Sequence, residues 1–176
     1  MSANRIETLI SAEQLSARVA ELAAQIKNDY AGKDILLVGT LKGAYIFLAD
    51  LSRHLPESTE IDFLKVSSYG DSTSPETAVK FDHYPTIKLH GKHVVLVEDI
   101  VDTGNTLAFL REYIQGQNPA SLRVCALLDK PSRREAVLDP IEYIGFSIPD
   151  KFVVGYGLDF AQRYRNLPFV GVYKPD

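Results

Sequence analysis

The segment Val94-Val-Leu-Val-Glu-Asp-Ile-Val-Asp-Thr-Gly-Asn-Thr-Leu107 constrains this chain more than any other. Its four leading apolar residues read as a buried strand. Residues 105–115, with Leu107, Leu110, Arg111 and Ile114 at helical spacing, read as a helix. A strand that runs through a polar turn straight into a helix is the joint of an open α/β sheet, whose ligands lie beyond the carboxyl ends of its strands. The turn holds Glu98, Asp99 and Asp102, the hydroxyls of Thr103 and Thr106, and Gly104. Glycine permits a backbone turn closed to other residues, and the amides of residues 103–106 then point outward at a helix N-terminus, where the dipole favours an anion. This is a phosphate cradle, though not a P-loop, because no lysine follows the glycine in the required arrangement. Carboxylates beside a phosphate imply a divalent cation, sugar hydroxyls to be held or a proton to be moved. The plainer reading of the same acids is helix capping.

The rest of the chain keeps the same rhythm. Ser11-Ala-Glu-Gln14 fits a capping box, and Leu15, Val19, Leu22 and Ile26 follow at helical spacing up to a stop at Gly32. Ile35–Gly39 reads as a short buried strand, Ala44–His54 as a helix, and Glu60–Ser68 as a strand with Ile61, Phe63 and Lys65 on one face. Tyr69 to Glu76 is built of Gly, Asp, Ser, Thr and Pro, a turn-forming composition too polar to pack. Val79–Tyr84 reads as a short returning strand and Ser121–Leu128 as another buried one. The residues just after Val38, Val97 and Leu128 are therefore where a ligand is expected.

Composition narrows the class. The chain has 176 residues, 45% of them hydrophobic and 24% charged, which suits one globular domain able to bury its own core. Its single cysteine, Cys125, cannot form an intrachain bridge and lies in an apolar run, so it reads as a core thiol. No apolar run approaches the ~20 residues that cross a bilayer, and Met1–Leu9 lacks a signal-peptide core. A cytoplasmic protein without a membrane partner is expected. The net charge of −4, with its basic residues dispersed, disfavours nucleic acid as a partner and favours small-molecule chemistry.

Residues 94–107 closely resemble the phosphoribosyl pyrophosphate binding motif of phosphoribosyltransferases, in the form used by the hypoxanthine-guanine members. Further stretches resemble the same family in the same order. Leu41-Lys42-Gly43 resembles its pyrophosphate loop, Ser67-Ser68-Tyr69 the start of its mobile loop, and Asp129-Lys130 its purine-contacting lysine strand. Ile148–Asp159 is similar to its base-stacking and metal segment, and Arg165 to its terminal-region arginine. The resemblance spans the chain from about residue 10. Two departures bear on base preference and side-chain detail: Asn105 stands where some members carry lysine, and Pro131 and Arg133-Arg134 differ from some members.

The resemblance implies an α/β phosphoribosyltransferase-type fold: a twisted, mainly parallel core sheet flanked by helices, with a small hood made from chain-terminal segments. It implies Asp102 as the general base near purine N7, Glu98 and Asp99 on the ribose hydroxyls directly or through Mg2+, and Asp102, Thr103, Gly104, Asn105 and Thr106 around the 5′-phosphate. Leu41, Lys42, Gly43 and Arg165 would bind pyrophosphate, and members of the family often hold a cis peptide between the first two positions. Lys130 would donate to O6 of the base. Phe152 would stack on the purine, with Lys151 and Val153 beside it, and Asp159 would complete a second metal site. Ser68 and Tyr69 would open a mobile loop reaching to about residue 84 that excludes water when closed. Taken without the resemblance, Lys130 reads as a solvated charge, Phe152 as core, and Asp159 and Arg165 as surface ion pairs.

The implied activity is Mg2+-dependent transfer of 5-phosphoribosyl from phosphoribosyl pyrophosphate to N9 of hypoxanthine and guanine, in a homodimer or homotetramer. Rivals are transfer to another base such as xanthine, adenine or a pyrimidine, an RNA-binding regulator on the same fold, and a phosphate-sensing module without catalysis. A lysine donor at 130 suits an O6 acceptor, and the acidic balance weighs against RNA.

Overall fold

The computed structural model describes residues 6–68 and 79–174. In chain order these form β1 (Ile6–Ile10), α1 (Ala12–Asp29), β2 (Ile35–Thr40), α2 (Tyr45–Ser52), β3 (Glu60–Ser68), β4 (Val79–His83), β5 (His93–Val101), α3 (Asn105–Gly116), β6 (Ser121–Asp129), β7 (Tyr143–Ser147), β8 (Val153–Val154) and β9 (Val170–Tyr173). Six strands make one sheet in the order β4-β3-β2-β5-β6-β7, parallel throughout except for the antiparallel β3–β4 pair. The other three form a small antiparallel sheet, β1-β9-β8, from the two ends of the chain. This is the expected core sheet with its hood.

Strand alternation sends successive side chains to opposite faces, and here both faces are covered. Leu37, Val95 and Val97 pack with Leu15, Val19, Leu22 and Ile26 of α1 and Phe47 and Leu51 of α2. Leu36, Val38, Val94 and Leu96 turn the other way, onto Leu107, Leu110 and Ile114 of α3. Each such side chain taken out of water stabilises the fold by ~1.5–3 kcal/mol. The ends of α1 follow from its sequence. Gln14 N donates to Ser11 Oγ at 3.2 Å, Ser11 N donates to Gln14 Oε1 at 2.8 Å, and the helix stops at Asp29, with Gly32 at φ +72° in the turn beyond.

The structure changes several expectations. β5 does not end at Val97 but runs on to Val101, so Glu98 and Asp99 stand in the strand itself. On β3 Ile61, Phe63 and Lys65 share one face as expected, but it is the alternate residues Asp62 and Leu64 that are buried, while Ile61 is exposed. The returning strand expected at 79–84 is β4, residues 79–83, with Val79 paired to Ser68 at the end of β3. Residues 69–78, Tyr69 among them, lie outside the described residues. Cys125 is fully buried in the first core cluster, and burial pushes its thiol up.

Candidate active site

The ends of β2 and β5 deliver expected residues to one edge of the sheet. β2 ends at Thr40 and is followed by the Leu41–Lys42 peptide, which is cis, and by Gly43. β5 lies beside β2 in parallel register, Gly39 opposite Val97, so Glu98 arrives next to Thr40. Thr40 Oγ1 donates to Glu98 Oε2 at 2.7 Å, and both residues are buried. Asp99 faces the loop after β2 so closely that a Cβ on residue 43 would lie 1.5 Å from Asp99 Oδ2, which only glycine avoids.

Neither acid has an ion-pair partner among the described residues. Burial pushes Glu98 up to about 8, with the neighbouring charge of Asp99 adding to the shift. Burial likewise raises Asp99, to about 6, against the opposing hydrogen bonds from the Ile100 and Asp99 amides and the attraction of Arg165. Thr40 as the partner of Glu98 was not foreseen. Its only sequence signal is a hydroxyl at the end of an apolar strand.

Beyond Val101 the chain enters the expected cradle. Gly104 is the N-cap of α3 at φ +89°, a left-handed conformation that suits glycine, and the first turn of the helix carries no acidic residue. Thr103 Oγ1 accepts from Asn105 N at 3.4 Å, and no side chain caps the helix. The helix N-terminus is therefore open to an anion. Capping is thus excluded as the task of Asp102. Its carboxylate instead accepts from Arg133 Nε at 3.1 Å, and its backbone carbonyl accepts from Arg134 at 2.9 Å.

The segment after β8 closes the other side. Arg165 donates to the Gly157 carbonyl at 2.7 Å and pairs with Asp159 at 2.9 Å, while Asp159 also accepts from Gln162 N at 2.8 Å. The expected surface pair thus exists, but both partners face the site. Thr40–Gly43, Glu98–Gly104, Thr106, Asp159 and Arg165 line one cavity of about 310 Å3. Asn105 does not line it, and its amide side chain reaches Glu135 at 3.4 Å.

The residues expected around the base form a neighbouring group outside that cavity. Lys130, far from being solvated, is 6% exposed; its amide donates to the Val101 carbonyl at 2.9 Å and its ammonium stands 3.6 Å from Asp150. Phe152 is not core but 52% exposed, in edge-on contact with Phe160, while Val153 beside it is buried. Val153 and Val154 pair with Val172 and Gly171 of β9, and Phe152 lies just before that ladder. Lys151 is exposed. Among the described residues no group of three or more His, Cys, Asp or Glu side chains is arranged to hold a metal ion. Glu98 and Asp99 adjoin, and Asp159 is engaged by Arg165.

A strand-to-helix anion cradle behind buried acids, under a hood made from both chain ends, defines a phosphoribosyltransferase-type fold and site. Residues 6–161 match the family model for the phosphoribosyl transferase domain, and the chain belongs to that family. It is 50% identical over 168 residues to the hypoxanthine phosphoribosyltransferase of Escherichia coli K12, covering 94% of each chain. It is 47% identical to the hypoxanthine-guanine phosphoribosyltransferase of Mycobacterium bovis, covering 95% of this chain and 85% of the relative. Among solved structures, a hypoxanthine-guanine phosphoribosyltransferase of Bacillus anthracis superposes with a TM-score of 0.92 at 46% identity, covering 97% of this chain and 100% of that one.

Proposed function

We propose that the chain, acting as a single domain over residues 1–176, is a purine-salvage enzyme. It transfers the 5-phosphoribosyl group of phosphoribosyl pyrophosphate to N9 of hypoxanthine and guanine and releases pyrophosphate. The observation that carries the reading is the single cavity in which the helix N-terminus at Gly104, the Lys42-Gly43 loop, Glu98, Asp99, Asp102, Asp159 and Arg165 meet. Relatives at 47% and 50% identity that are named for this reaction support it.

Each group then has a task. The amides and hydroxyls of Thr103 to Thr106 hold the 5′-phosphate at the positive end of α3. Lys42, the amides of the Leu41–Gly43 loop and Arg165 bind the pyrophosphate that departs from C1′. As the C1′–oxygen bond breaks, the sugar gains positive charge, and the carboxyl oxygens of Glu98 and Asp99 suit it. Asp102, which lines the cavity, takes or shares the proton at N7 while N9 bonds to C1′. Lys130 donates to O6, Phe152 stacks on the ring, Val153 offers backbone groups to the base edge, and Lys151 lies alongside.

Magnesium fits this donor set. Glu98 and Asp99 are consecutive carboxylates withdrawn from water without an ion-pair partner among the described residues, and an oxygen-only pair suits a hard ion that takes one or two carboxylates together with substrate phosphates. Bound there, the ion supplies neutralisation of the pyrophosphate charge. Asp159 is a further carboxylate lining the same cavity.

A cytoplasmic location accords with a charged sugar phosphate as substrate, which does not cross a bilayer unaided. No helix among the described residues is long and apolar enough to span a membrane. A homodimer or homotetramer is the expected assembly, closed symmetry being the usual outcome. The test is a spectrophotometric assay with phosphoribosyl pyrophosphate and Mg2+ against hypoxanthine, guanine, xanthine, adenine and uracil. Turnover of hypoxanthine and guanine is expected, and turnover of none would overturn the reading.

A further inference from the structure

The turn after β6, Pro131–Arg133, folds Arg133 back over the phosphate loop. Its Nε donates to Asp102 Oδ1 at 3.1 Å, and its terminal nitrogen stands 3.8 Å from Asp150 Oδ2. The other oxygen of Asp150 is 3.6 Å from Lys130 Nζ. Charges thus alternate along Asp102, Arg133, Asp150 and Lys130, joining the acid expected at N7 of the purine to the lysine expected at O6. Nothing in the reaction described above uses Arg133.

Asp102 needs support of this kind. Its side chain is 41% exposed, and among the described residues Arg133 is the only donor to its carboxylate. A short, exposed carboxylate samples several rotamers, whereas a base must hold its oxygen within hydrogen-bond reach of one proton. The backbone beneath is already fixed. Arg134 donates to the Asp102 carbonyl at 2.9 Å, and the amides of Glu135 and Ala136 donate to the Thr103 carbonyl at 2.9 and 3.1 Å. Only the side chain of Asp102 remains to be set.

We infer that Arg133 is a positioning residue for Asp102: by occupying Oδ1 it sets the carboxylate so that Oδ2 faces the purine. A guanidinium suits the task because its planar fork can address Asp102 and Asp150 at once, which a lysine ammonium on a flexible stem does not do with fixed geometry. The pair is half exposed, and exposed ion pairs contribute little to stability, so its function is orientation rather than folding. The inference rests on the reading of Asp102 as the base.

The test compares Arg133→Gln and Asp102→Asn with the parent enzyme on hypoxanthine. Arg133→Gln is expected to lower kcat about tenfold, to leave KM for phosphoribosyl pyrophosphate within about twofold and to keep the melting temperature. A parent-like kcat in Arg133→Gln, with Asp102→Asn inactive, overturns the role of Arg133 and leaves the base assignment standing. A rise in KM for phosphoribosyl pyrophosphate matching the fall in kcat also overturns it, since Arg133 would then be a phosphate contact. An active Asp102→Asn overturns the base assignment and this inference with it.

Discussion

Asp99 and Gly43 fit against each other with no room for a methyl group: a Cβ on residue 43 would fall 1.5 Å from Asp99 Oδ2. The contact couples the loop after β2 to the acidic end of β5, two segments joined in the sheet only through the β2–β5 ladder. Substitution of Gly43 by Ala must therefore displace either the loop that addresses pyrophosphate or the carboxylate that addresses the sugar. Gly43→Ala is expected to lower kcat/KM for phosphoribosyl pyrophosphate at least ~100-fold and to cost ~1–3 kcal/mol of stability. Steady-state kinetics and thermal melts check both.

Asp102 stands apart from the core, so its removal reads on chemistry alone. Asp102→Asn keeps the shape and removes the base. The expected result is a fall in kcat of ~10²–10⁴ with little change in KM for phosphoribosyl pyrophosphate and an unchanged melting temperature.

Glu98 gives a pH dependence with a definite sign. Its carboxyl is raised from the ordinary 4.5 to about 8 in the folded chain by burial and by Asp99. The folded state therefore keeps a proton that the unfolded chain loses, and stability falls as pH rises through that window. The melting temperature of the metal-free protein is expected to drop between about pH 5 and about pH 8. Glu98→Gln should flatten the slope, and saturating Mg2+ with phosphoribosyl pyrophosphate should restore stability at the alkaline end. A melting series in matched buffers measures it.

Phe152 is exposed where a ring next to two valines would ordinarily be buried, so its loss should not weaken the core. Base–aromatic stacking is worth ~1–3 kcal/mol. Phe152→Ala is expected to raise KM for hypoxanthine about tenfold while the melting temperature holds, as initial-rate kinetics at fixed phosphoribosyl pyrophosphate would show.

Much of this was legible along the chain because the signals are local. The unbroken apolar run Val94–Val97, the helical spacing of Leu107, Leu110 and Ile114, the Ser11–Gln14 box and the left-handed Gly104 each depend on a few neighbouring residues. The order of segments resembling phosphoribosyltransferases added the candidate residues one by one. Less legible were the end of β5, since carboxylates are poor strand formers and here continue the ladder against β6, and the surroundings of Lys130 and Phe152, which depend on chain eight or more residues away.

The sequence alone therefore determined the strand–turn–helix cradle, the helix caps and the apolar faces, because backbone conformation and side-chain period are set within a turn or two of chain. Only the tertiary structure decided that Thr40 would meet Glu98, that Asp99 would close on Gly43, that Arg133 would hold Asp102 and that Lys130 would be buried beside Asp150. Those contacts join segments brought together by sheet order and loop packing. Their energies come from burial and charge at short range, which no spacing along the chain encodes.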